Sequence, residues 1–245
     1  MPVEASDVSR GVFIEGRGGT WRLTRWAGPS VVASVTTRDV GLDELLRMLP
    51  AGVRTAAAEQ VHGSSVAAIG PAAAGMPPVP GCDALVTGTA GLALLIRTAD
   101  CLPLFVADPG RRVVGLAHAG WRGLAGELPA RLIAAFRHLY QSRPEDLRAA
   151  IGPAIRSCCY EVGPEFAERF GPFVQECRGR RTCDLIGVAR DQLRRCGLRP
   201  DRVMDSGQCT ACGTTRWFSL RREGPATGRM VSFILLNPGR VRGVR

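Results

Sequence analysis

The stretch that decides the fold is Thr98–Gly123, which reads TADCLPLFVADPGRRVVGLAHAGWRG. Two apolar runs flank Asp108–Arg111, whose residue types favour a turn. Each run has the composition of a buried strand, so the pair predicts an antiparallel hairpin. One cysteine, Cys101, and one histidine, His118, stand just outside the two runs.

The turn determines which residues of the hairpin face one another. A loop of two residues (Pro109-Gly110) or of four (Asp108–Arg111) gives the same register and places Cys101 opposite His118. Directly opposed residues in an antiparallel pair lie about 4.5–5.5 Å apart at Cα and point to the same face. The sulfur and the imidazole would therefore meet, either at one metal ion or as a thiolate–imidazolium pair.

A third partner follows from the histidine count, which is three. His138 falls on the polar face of a predicted helix and is expected to be solvated, whereas His62 precedes a predicted strand. If a metal binds at Cys101 and His118, His62 is the natural third ligand. Three protein ligands leave zinc one open position, as in catalytic sites, where a metal activates water or orients an anionic nucleophile.

Two polar residues next to this group are further candidates. Asp100 precedes the cysteine, and a general base or a ligand-orienting carboxylate is expected there. Arg122 follows the histidine loop, and its guanidinium is suited to phosphate. For each of them an ordinary surface salt bridge or loop hydrogen bond is an equally good interpretation.

Composition excludes several classes of protein. The chain has 245 residues, 45% of them hydrophobic and 22% charged, which fits one globular domain over residues 1–245. All 32 basic residues are arginine, so Schiff-base, pyridoxal-phosphate-attaching and P-loop lysines are excluded. The net charge is +10, but aromatics are only 6% and the arginines are dispersed, which argues against a nucleic-acid partner. The basic end GRVRGVR is expected to be a solvated terminus.

Location and assembly are predicted from absences in the sequence. No apolar run approaches the roughly 20 residues that span a bilayer. The first residues lack the pattern of a secretory signal. We therefore expect a soluble, cytoplasmic protein with reduced thiols, no membrane partner, and a monomeric or weakly homodimeric state.

Hydrophobic periodicity predicts a mixture of strands and helices, and short turns between strands favour an α+β fold over a strict βαβ repeat. The predicted strands are Gly11–Ile14, Val31–Val35, Val66–Ile69, Ala84–Thr87, Leu92–Thr98, Leu102–Ala107, Val113–His118 and Met230–Leu236. The predicted helices are Leu42–Leu49, Leu124–Tyr140, Pro164–Phe170 and Leu185–Cys196. Pro129 should begin or kink the second of these helices.

Four other cysteines are harder to interpret. Cys209 and Cys212 have the spacing of half a zinc ribbon, but a second such pair is missing. Cys158 and Cys159 are adjacent, and neighbouring side chains were expected to diverge. Reduced structural thiols are therefore the favoured interpretation, and specific roles for these four residues stay open.

Several segments together resemble the laccase-domain family, also called the YfiH-like, polyphenol oxidase or peptidoglycan editing factor family, which is now viewed as a family of purine nucleoside phosphorylases. The matching stretches lie in the same order and are EQVHG (59–63), DALVT (83–87), TADCLP (98–103), AHAGWRG (117–123), IGPAIRSCCYEVG (151–163) and CTACGTTRWFSLRREGPATGRM (209–230). One departure is Arg190, where members often carry asparagine in the motif that begins at Asp184.

The resemblance implies a fold and an activity. It implies a β-sandwich-like core of mixed sheets flanked by helices, similar to cysteine-dependent deamidase toxins. It makes His62, Cys101 and His118 the ligands of a metal, usually zinc, with copper as the other candidate. It implies phosphate-dependent cleavage of adenosine, inosine and guanosine to base and ribose 1-phosphate. Methylthioadenosine phosphorolysis, adenosine deamination and a role in editing peptidoglycan precursors are also attributed to the family.

Other chemistries remain to be weighed. A multicopper laccase needs many imidazoles for its trinuclear cluster, and three histidines cannot supply them. Cysteine with two histidines does suit a single copper ion, which would leave polyphenol oxidation as an incidental activity. A metal-free hydrolase or deamidase would use Cys101 as nucleophile and His118 as base. A non-enzymatic regulatory protein is a third class.

Overall fold

The structure is a computed structural model that describes residues 12–16, 18–73, 75, 77–177 and 179–237. The basic segment 239–245 and the predicted strand start at Gly11 lie outside the described residues. The strands are β1 (Val12–Gly16), β2 (Thr20–Thr24), β3 (Val31–Thr36), β4 (Arg54–Ala57), β5 (Val66–Ala68), β6 (Ala84–Thr87), β7 (Leu92–Thr98), β8 (Leu102–Asp108), β9 (Val113–Ala119), β10 (Arg148–Ile151), β11 (Val174–Cys177), β12 (Arg180–Cys183), β13 (Val203–Asp205) and β14 (Met230–Leu236). The helices are α1 (Leu42–Met48), α2 (Trp121–Ala125), α3 (Leu128–Tyr140), α4 (Glu165–Phe170), α5 (Leu185–Arg195) and α6 (Leu220–Glu223).

Two six-stranded sheets form the body of the protein. The first has the order β1-β2-β3-β14-β7-β4, and the second has the order β13-β10-β8-β9-β6-β5. Both are mixed: β4 joins β7 and β5 joins β6 in parallel, while most other pairs are antiparallel. The sheets pack face to face, so the predicted α+β class and sandwich-like core are confirmed.

The core between the sheets is built by alternate residues of their central strands. Leu94 and Ile96 of β7 pack with Phe105 of β8 and Leu116 of β9, and all four are nearly or fully buried. Burying a large apolar side chain contributes about 1.5–3 kcal/mol. This layer therefore fixes the positions of β8 and β9, whose ends carry the cysteine and the histidine.

The opposite face of the second sheet is covered by helices. Leu104 and Val106 of β8 point to that side and join a buried cluster with Leu132 and Phe136 of α3. Gly115 lets α3 approach closely, because a Cβ there would lie 2.8 Å from the Phe136 ring. All seven residues of both β8 and β9 are buried, which explains why their sequences are continuously apolar.

The predicted helix Leu124–Tyr140 is two helices. α2 ends at Ala125, the chain turns at Glu127 with a left-handed φ of 59°, and α3 then begins with Pro129 in its first turn. Proline suits that position because the first turn leaves its N–H groups unpaired anyway. The prediction of a single helix from Leu124 was wrong, and the expected start of a helix at Pro129 is confirmed.

The predicted hairpin is present but its register is different. Asp108 pairs with Val113, so the loop contains the four residues 109–112 rather than Pro109-Gly110 or Asp108–Arg111. Arg112 takes a left-handed φ of 55°, which closes this later turn. His118 consequently pairs with Pro103, and the predicted pairing of Cys101 with His118 was wrong.

Most other elements lie within one or two residues of their predicted bounds, and β6, β7 and β14 match them fully. The sequence prediction omitted β2, β4, β10–β13 and α6. Within the described part of the chain, every helix is too short or too polar to cross a membrane.

Candidate active site and metal centre

Three side chains converge at one end of the second sheet. These are His62, Cys101 and His118, whose potential ligand atoms all lie within 4.8 Å of one another. The two imidazole centroids are 4.9 Å apart and the rings are nearly perpendicular, at 79°. His118 is only 4% exposed whereas His62 is exposed, so the cluster opens toward solvent on one side.

The shifted hairpin register still brings the cysteine and the histidine together. A shift by two residues keeps each side chain on its face, so Cys101 and His118 become diagonal instead of direct neighbours. The residue near Cys101 is then Gly120. A Cβ on Gly120 would lie 3.0 Å from the Cys101 sulfur and 3.5 Å from a His62 ring carbon. Glycine therefore leaves the room in which the three side chains meet.

A buried aspartate organises the two histidines. Asp83 is fully buried and its Oδ1 lies 2.9 Å from His118 Nδ1. The same carboxylate accepts hydrogen bonds from the backbone N–H groups of His62 (3.0 Å) and Gly63 (2.7 Å). His62 has a left-handed φ of 59°, and these bonds hold that conformation. Asp83 binds His118 through Nδ1, which leaves Nε2 on the side of Cys101, where it becomes a metal ligand once its proton is lost.

The electrostatics of the cluster favour a thiolate. Burial alone would raise the pKa of the Cys101 thiol, but hydrogen bonds and charge from His118 and His62 lower it to about 7. Burial would lower the pKa of His118, but hydrogen bonds to Asp83 and Cys101 raise it to about 9. At neutral pH Cys101 is therefore a thiolate and His118 an imidazolium, unless a metal cation replaces the proton between them.

The cluster lies in a cleft of about 430 Å³. Its wall also includes Gln60, Arg97 and Arg229. Gln60 is fixed by two hydrogen bonds with the backbone of Arg97, 2.8 Å to its N–H and 2.6 Å to its carbonyl. Both arginines are exposed, and among the described residues neither guanidinium pairs with a carboxylate. The cleft thus combines a soft N/S ligand set with two exposed guanidinium groups, of which that of Arg229 also donates to two carbonyls of its own loop.

Asp100 is placed to position the cysteine that follows it. Its left-handed φ is 87°, and its carbonyl accepts a hydrogen bond from Ile155. Its carboxylate accepts one from Thr210 Oγ1 (2.6 Å) and one from the backbone N–H of Arg221 (2.7 Å). Both oxygens are therefore engaged by the segment that closes one side of the site. The role of Asp100 as a general base stays a prediction.

Arg122 lies outside the residues that line the cleft. Its side chain is exposed and its guanidinium stacks over the Trp121 ring, 4.5 Å from the centroid. The arginines that do line the cleft are Arg97 and Arg229. Phosphate binding by Arg122 stays a prediction.

The remaining sequence candidates fall in two places. His138 is exposed near the end of α3, as expected. Cys158, Cys159, Cys209 and Cys212 instead form a second cluster, with all four sulfurs within 4.8 Å of one another. The expectation that the adjacent pair would diverge was wrong. Both residues lie in a turn, closed by hydrogen bonds from the N–H groups of Cys159 and Tyr160 to the Arg156 carbonyl, where successive side chains do not point to opposite sides.

Sequence reasoning missed Asp83, Arg97 and Arg229 as members of the site. Asp83 and Arg229 do fall in the stretches DALVT and TGRM that carried the family resemblance, which was the available signal. Arg97 is a single exposed residue at the end of an apolar strand, and no local pattern distinguishes it.

Comparisons with known proteins identify the family of the chain. Residues 39–237 match the family model described as multi-copper polyphenol oxidoreductase laccase. "Purine nucleoside phosphorylase YlmD" from Geobacillus stearothermophilus is 35% identical over 191 residues, which cover 72% of this chain and 70% of that protein. "Adenosine deaminase RL5", from an unknown prokaryotic organism, is 32% identical over 158 residues, covering 61% and 60%. The matched region thus spans about 60–70% of the length of these curated relatives.

A solved structure supports the fold. The crystal structure of YlmD from Geobacillus stearothermophilus superposes with a TM-score of 0.86 at 29% sequence identity, over 93% of this chain and 99% of that one. The relatives' names describe an enzyme that acts on purine nucleosides, most often a phosphorylase.

Proposed function

The chain belongs to the multi-copper polyphenol oxidoreductase laccase family, and on that premise we propose that it is a zinc-dependent purine nucleoside phosphorylase. It cleaves adenosine, inosine and guanosine with phosphate, releasing the base and ribose 1-phosphate. The observation that carries the proposal is the shared cleft. A His-Cys-His ligand set and two arginines that have no carboxylate partner among the described residues line the same wall.

The three side chains fit a zinc ion by their chemistry. One thiolate and two imidazoles match the ligand types and number of catalytic zinc sites. The buried Asp83–His118 hydrogen bond is the support that metal-binding histidines usually have. Zinc at this place would supply a Lewis acid with one open position for an anionic group. Copper would occupy the same ligands as the alternative metal.

The protein's own residues bind and orient the second substrate. Phosphate needs cationic donors in a fixed geometry, and a guanidinium binds it with two parallel hydrogen bonds. The hydrogen bonds to Gln60 fix the backbone of Arg97, whose exposed side chain lines the cleft. Arg229 is tied by its own loop carbonyls at 2.6 and 3.0 Å. Holding phosphate against the sugar converts a bimolecular attack into an effectively unimolecular one.

The cleft also contains an anionic group that can stabilise the positive charge developing on the sugar. As the glycosidic bond loosens, the ribosyl group becomes positive in character. The cleft carboxylate of Glu59 is the anionic group of that wall that the proposed zinc leaves free. Glu59 is anchored through one oxygen, which accepts a hydrogen bond from the Gly81 N–H at 2.6 Å. A preoriented negative group of this kind stabilises the transition state without reorganising.

The same site offers related activities. One relative is named an adenosine deaminase, and the same three ligands suit that chemistry. We therefore include adenosine deamination and methylthioadenosine phosphorolysis in the proposal. A cytoplasmic location and a role in editing peptidoglycan precursors are part of it too.

A metal-free cysteine hydrolase is the second candidate, and one observation favours it. Cys101 with a pKa of about 7 beside His118 with a pKa of about 9 is the arrangement of an activated cysteine nucleophile. Metal analysis separates the two proposals when Cys101→Ala protein is compared with the parent, because zinc that is lost with Cys101 occupies the thiolate and contradicts the hydrolase.

The test is one purified sample assayed in two ways. Inosine and adenosine are followed with and without phosphate, and the metal content of the same protein is compared with that of Cys101→Ala. We expect zinc in the cleft and release of base that requires phosphate and yields ribose 1-phosphate. Inosine consumption that is unchanged when phosphate is omitted would contradict phosphorolysis.

A further inference from the structure

The second cysteine cluster has no part in the proposed reaction. Its four residues come from two separate turns, Cys158 and Cys159 in one and Cys209 and Cys212 in the other, and the residues lining the cleft include none of them. Two are exposed and two are partly buried. Four thiols brought together at the surface of a protein with reduced cysteines require a physical explanation.

The distances fit a single ion bound by four sulfurs. Cys159 and Cys212 sulfurs are 3.4 Å apart and Cys158 and Cys212 sulfurs are 3.7 Å apart, and no pair exceeds 4.8 Å. A disulfide joins its sulfurs at about 2.0 Å. A tetrahedral zinc ion with Zn–S bonds of about 2.3 Å separates its sulfurs by about 3.8 Å. Iron–sulfur clusters place several irons and sulfides between the thiolates and need a wider cage.

The backbone is already arranged for this ligation. The two turns are bridged by the pairing of Ala154 with Cys209, with backbone hydrogen bonds in both directions between the segments. Burial would raise the pKa of the Cys209 thiol, but the backbone N–H groups of Cys212, Arg156 and Ala211 lower it. Arg156 in turn binds the Asp205 carboxylate through two hydrogen bonds of 2.9 Å. Amide donors aimed at a sulfur stabilise its anionic, metal-binding form.

We propose that Cys158, Cys159, Cys209 and Cys212 bind one Zn²⁺ ion as four thiolates, forming a closed structural site separate from the catalytic centre. Binding releases the four thiol protons and leaves a complex of charge −2. Four protein ligands fill the tetrahedral coordination of zinc, so this ion has no position for a substrate.

The site would brace one wall of the active-site cleft. Thr210, between the two ligands of the second turn, donates the 2.6 Å hydrogen bond to Asp100. Arg222 donates to the carbonyls of Thr210 and Ala211 at 2.7 and 2.8 Å. Fixing Cys209 and Cys212 therefore fixes the residue that holds Asp100, which immediately precedes Cys101.

The test counts zinc in untagged protein purified under reducing conditions and equilibrated against a weak chelator. Cys101→Ala should retain one zinc per chain, held by the four cysteines. X-ray absorption of that variant should give four sulfur neighbours at about 2.3 Å and no nitrogen. This measurement is independent of the proposed catalytic metal, so loss of cleft zinc does not affect it.

Variants of the cluster complete the design. The double variant Cys209→Ser/Cys212→Ser should lose one zinc relative to its parent, whether or not Cys101 is also replaced. The matched control Cys196→Ser changes a partly buried cysteine outside both clusters and should keep the parent's zinc. Cys101→Ala protein that contains no zinc, that contains iron instead, or whose intact mass reveals a disulfide between these cysteines would overturn the proposal.

Discussion

The two thiol clusters differ in what surrounds them. His62, Cys101 and His118 lie at the edge of a rigid sandwich, with two nitrogens and one sulfur facing a cleft of about 430 Å³. The four-cysteine cluster lies between two turns and uses sulfur alone. A metal site with three protein ligands beside a cleft is suited to catalysis. A site with four protein ligands away from the cleft is suited to stabilising the fold. The number of cysteines in each cluster thus distinguishes the proposed catalytic site from the proposed structural site.

Removing the sulfur of the open cluster should have the largest effect. Cys101→Ala deletes one of the three proposed zinc ligands, so kcat/KM for inosine phosphorolysis should fall by at least about 10³-fold, equivalent to about 4 kcal/mol. Steady-state kinetics at saturating phosphate measures this, with Cys196→Ser as the matched cysteine control. A Cys101→Ala enzyme within tenfold of the parent would remove the open cluster from the reaction.

Replacing Asp83, the carboxylate that binds His118, should have the second-largest effect. Asp83→Asn keeps the shape but removes the charge that holds His118 Nδ1–H, so zinc affinity of the cleft should drop about 10- to 100-fold. Competition with a chromogenic chelator measures it. The four-cysteine site should keep its zinc in this variant, and Asp201→Asn, at an exposed surface ion pair, should change neither site. Equal zinc loss from both clusters would indicate general unfolding instead.

Thiol reactivity should separate the clusters in zinc-free protein. His118 and His62 lower the pKa of Cys101 to about 7, so its alkylation should rise with a midpoint near pH 7 as the thiolate forms. Burial and the neighbouring thiols raise the pKa of Cys158 to about 11, so it should react only in alkaline solution. Peptide-resolved mass spectrometry after iodoacetamide pulses reads both residues in one sample. Coincident midpoints for the two cysteines would contradict the electrostatic difference.

Replacing the arginines of the cleft should change KM for phosphate more than KM for the nucleoside. Arg97→Gln and Arg229→Gln each remove a cation from the wall, so KM for phosphate should rise about tenfold, or about 1.4 kcal/mol, with KM for inosine little changed. Arg122→Gln provides the direct contrast, because that side chain stacks on Trp121 outside the cleft lining. A larger phosphate effect in Arg122→Gln than in the other two would restore the sequence-based assignment.

The link between the clusters should give the smallest effect. Thr210→Val removes the hydrogen bond to the buried Asp100 carboxylate, which should lower the free energy of unfolding by about 1.5–3 kcal/mol. We expect the rate to fall only a few-fold, since Arg221 still holds the other oxygen. Thermal unfolding and kcat are compared with Thr215→Val, an exposed threonine nearby. A drop in kcat beyond 100-fold without loss of stability would instead favour Asp100 as a general base.

The predicted parts of the fold are those whose signal is local. β8, β9 and β14 are long, mainly apolar and buried along their whole length, and β7 departs from this only at the exposed Arg97, so their composition identified them. β4 (RTAA) and β10 (RAAI) are four-residue, alanine-containing segments. They become strands because they pair with β7 and β8. No local sequence pattern predicts this pairing.

The candidate site was predictable where it depends on local sequence signals and not where it depends on long-range contacts. The hairpin register was wrong by two residues because loop length is set by the left-handed turn at Arg112. An even shift preserves the face, so Cys101 and His118 still meet. His62 followed from the histidine count and the family resemblance. The four-cysteine cluster was missed because it depends on the turn at Arg156–Tyr160 and on a long-range bridge to Cys209.

Anomalous diffraction at the zinc edge, from crystals of the untagged protein grown with phosphate, tests the contrast between the clusters most directly. We predict two zinc peaks per chain. One lies among His62, Cys101 and His118 with a non-protein group in its fourth position, and the other lies among four sulfurs with none. A cleft that holds no metal while the protein turns over inosine with phosphate would contradict the account.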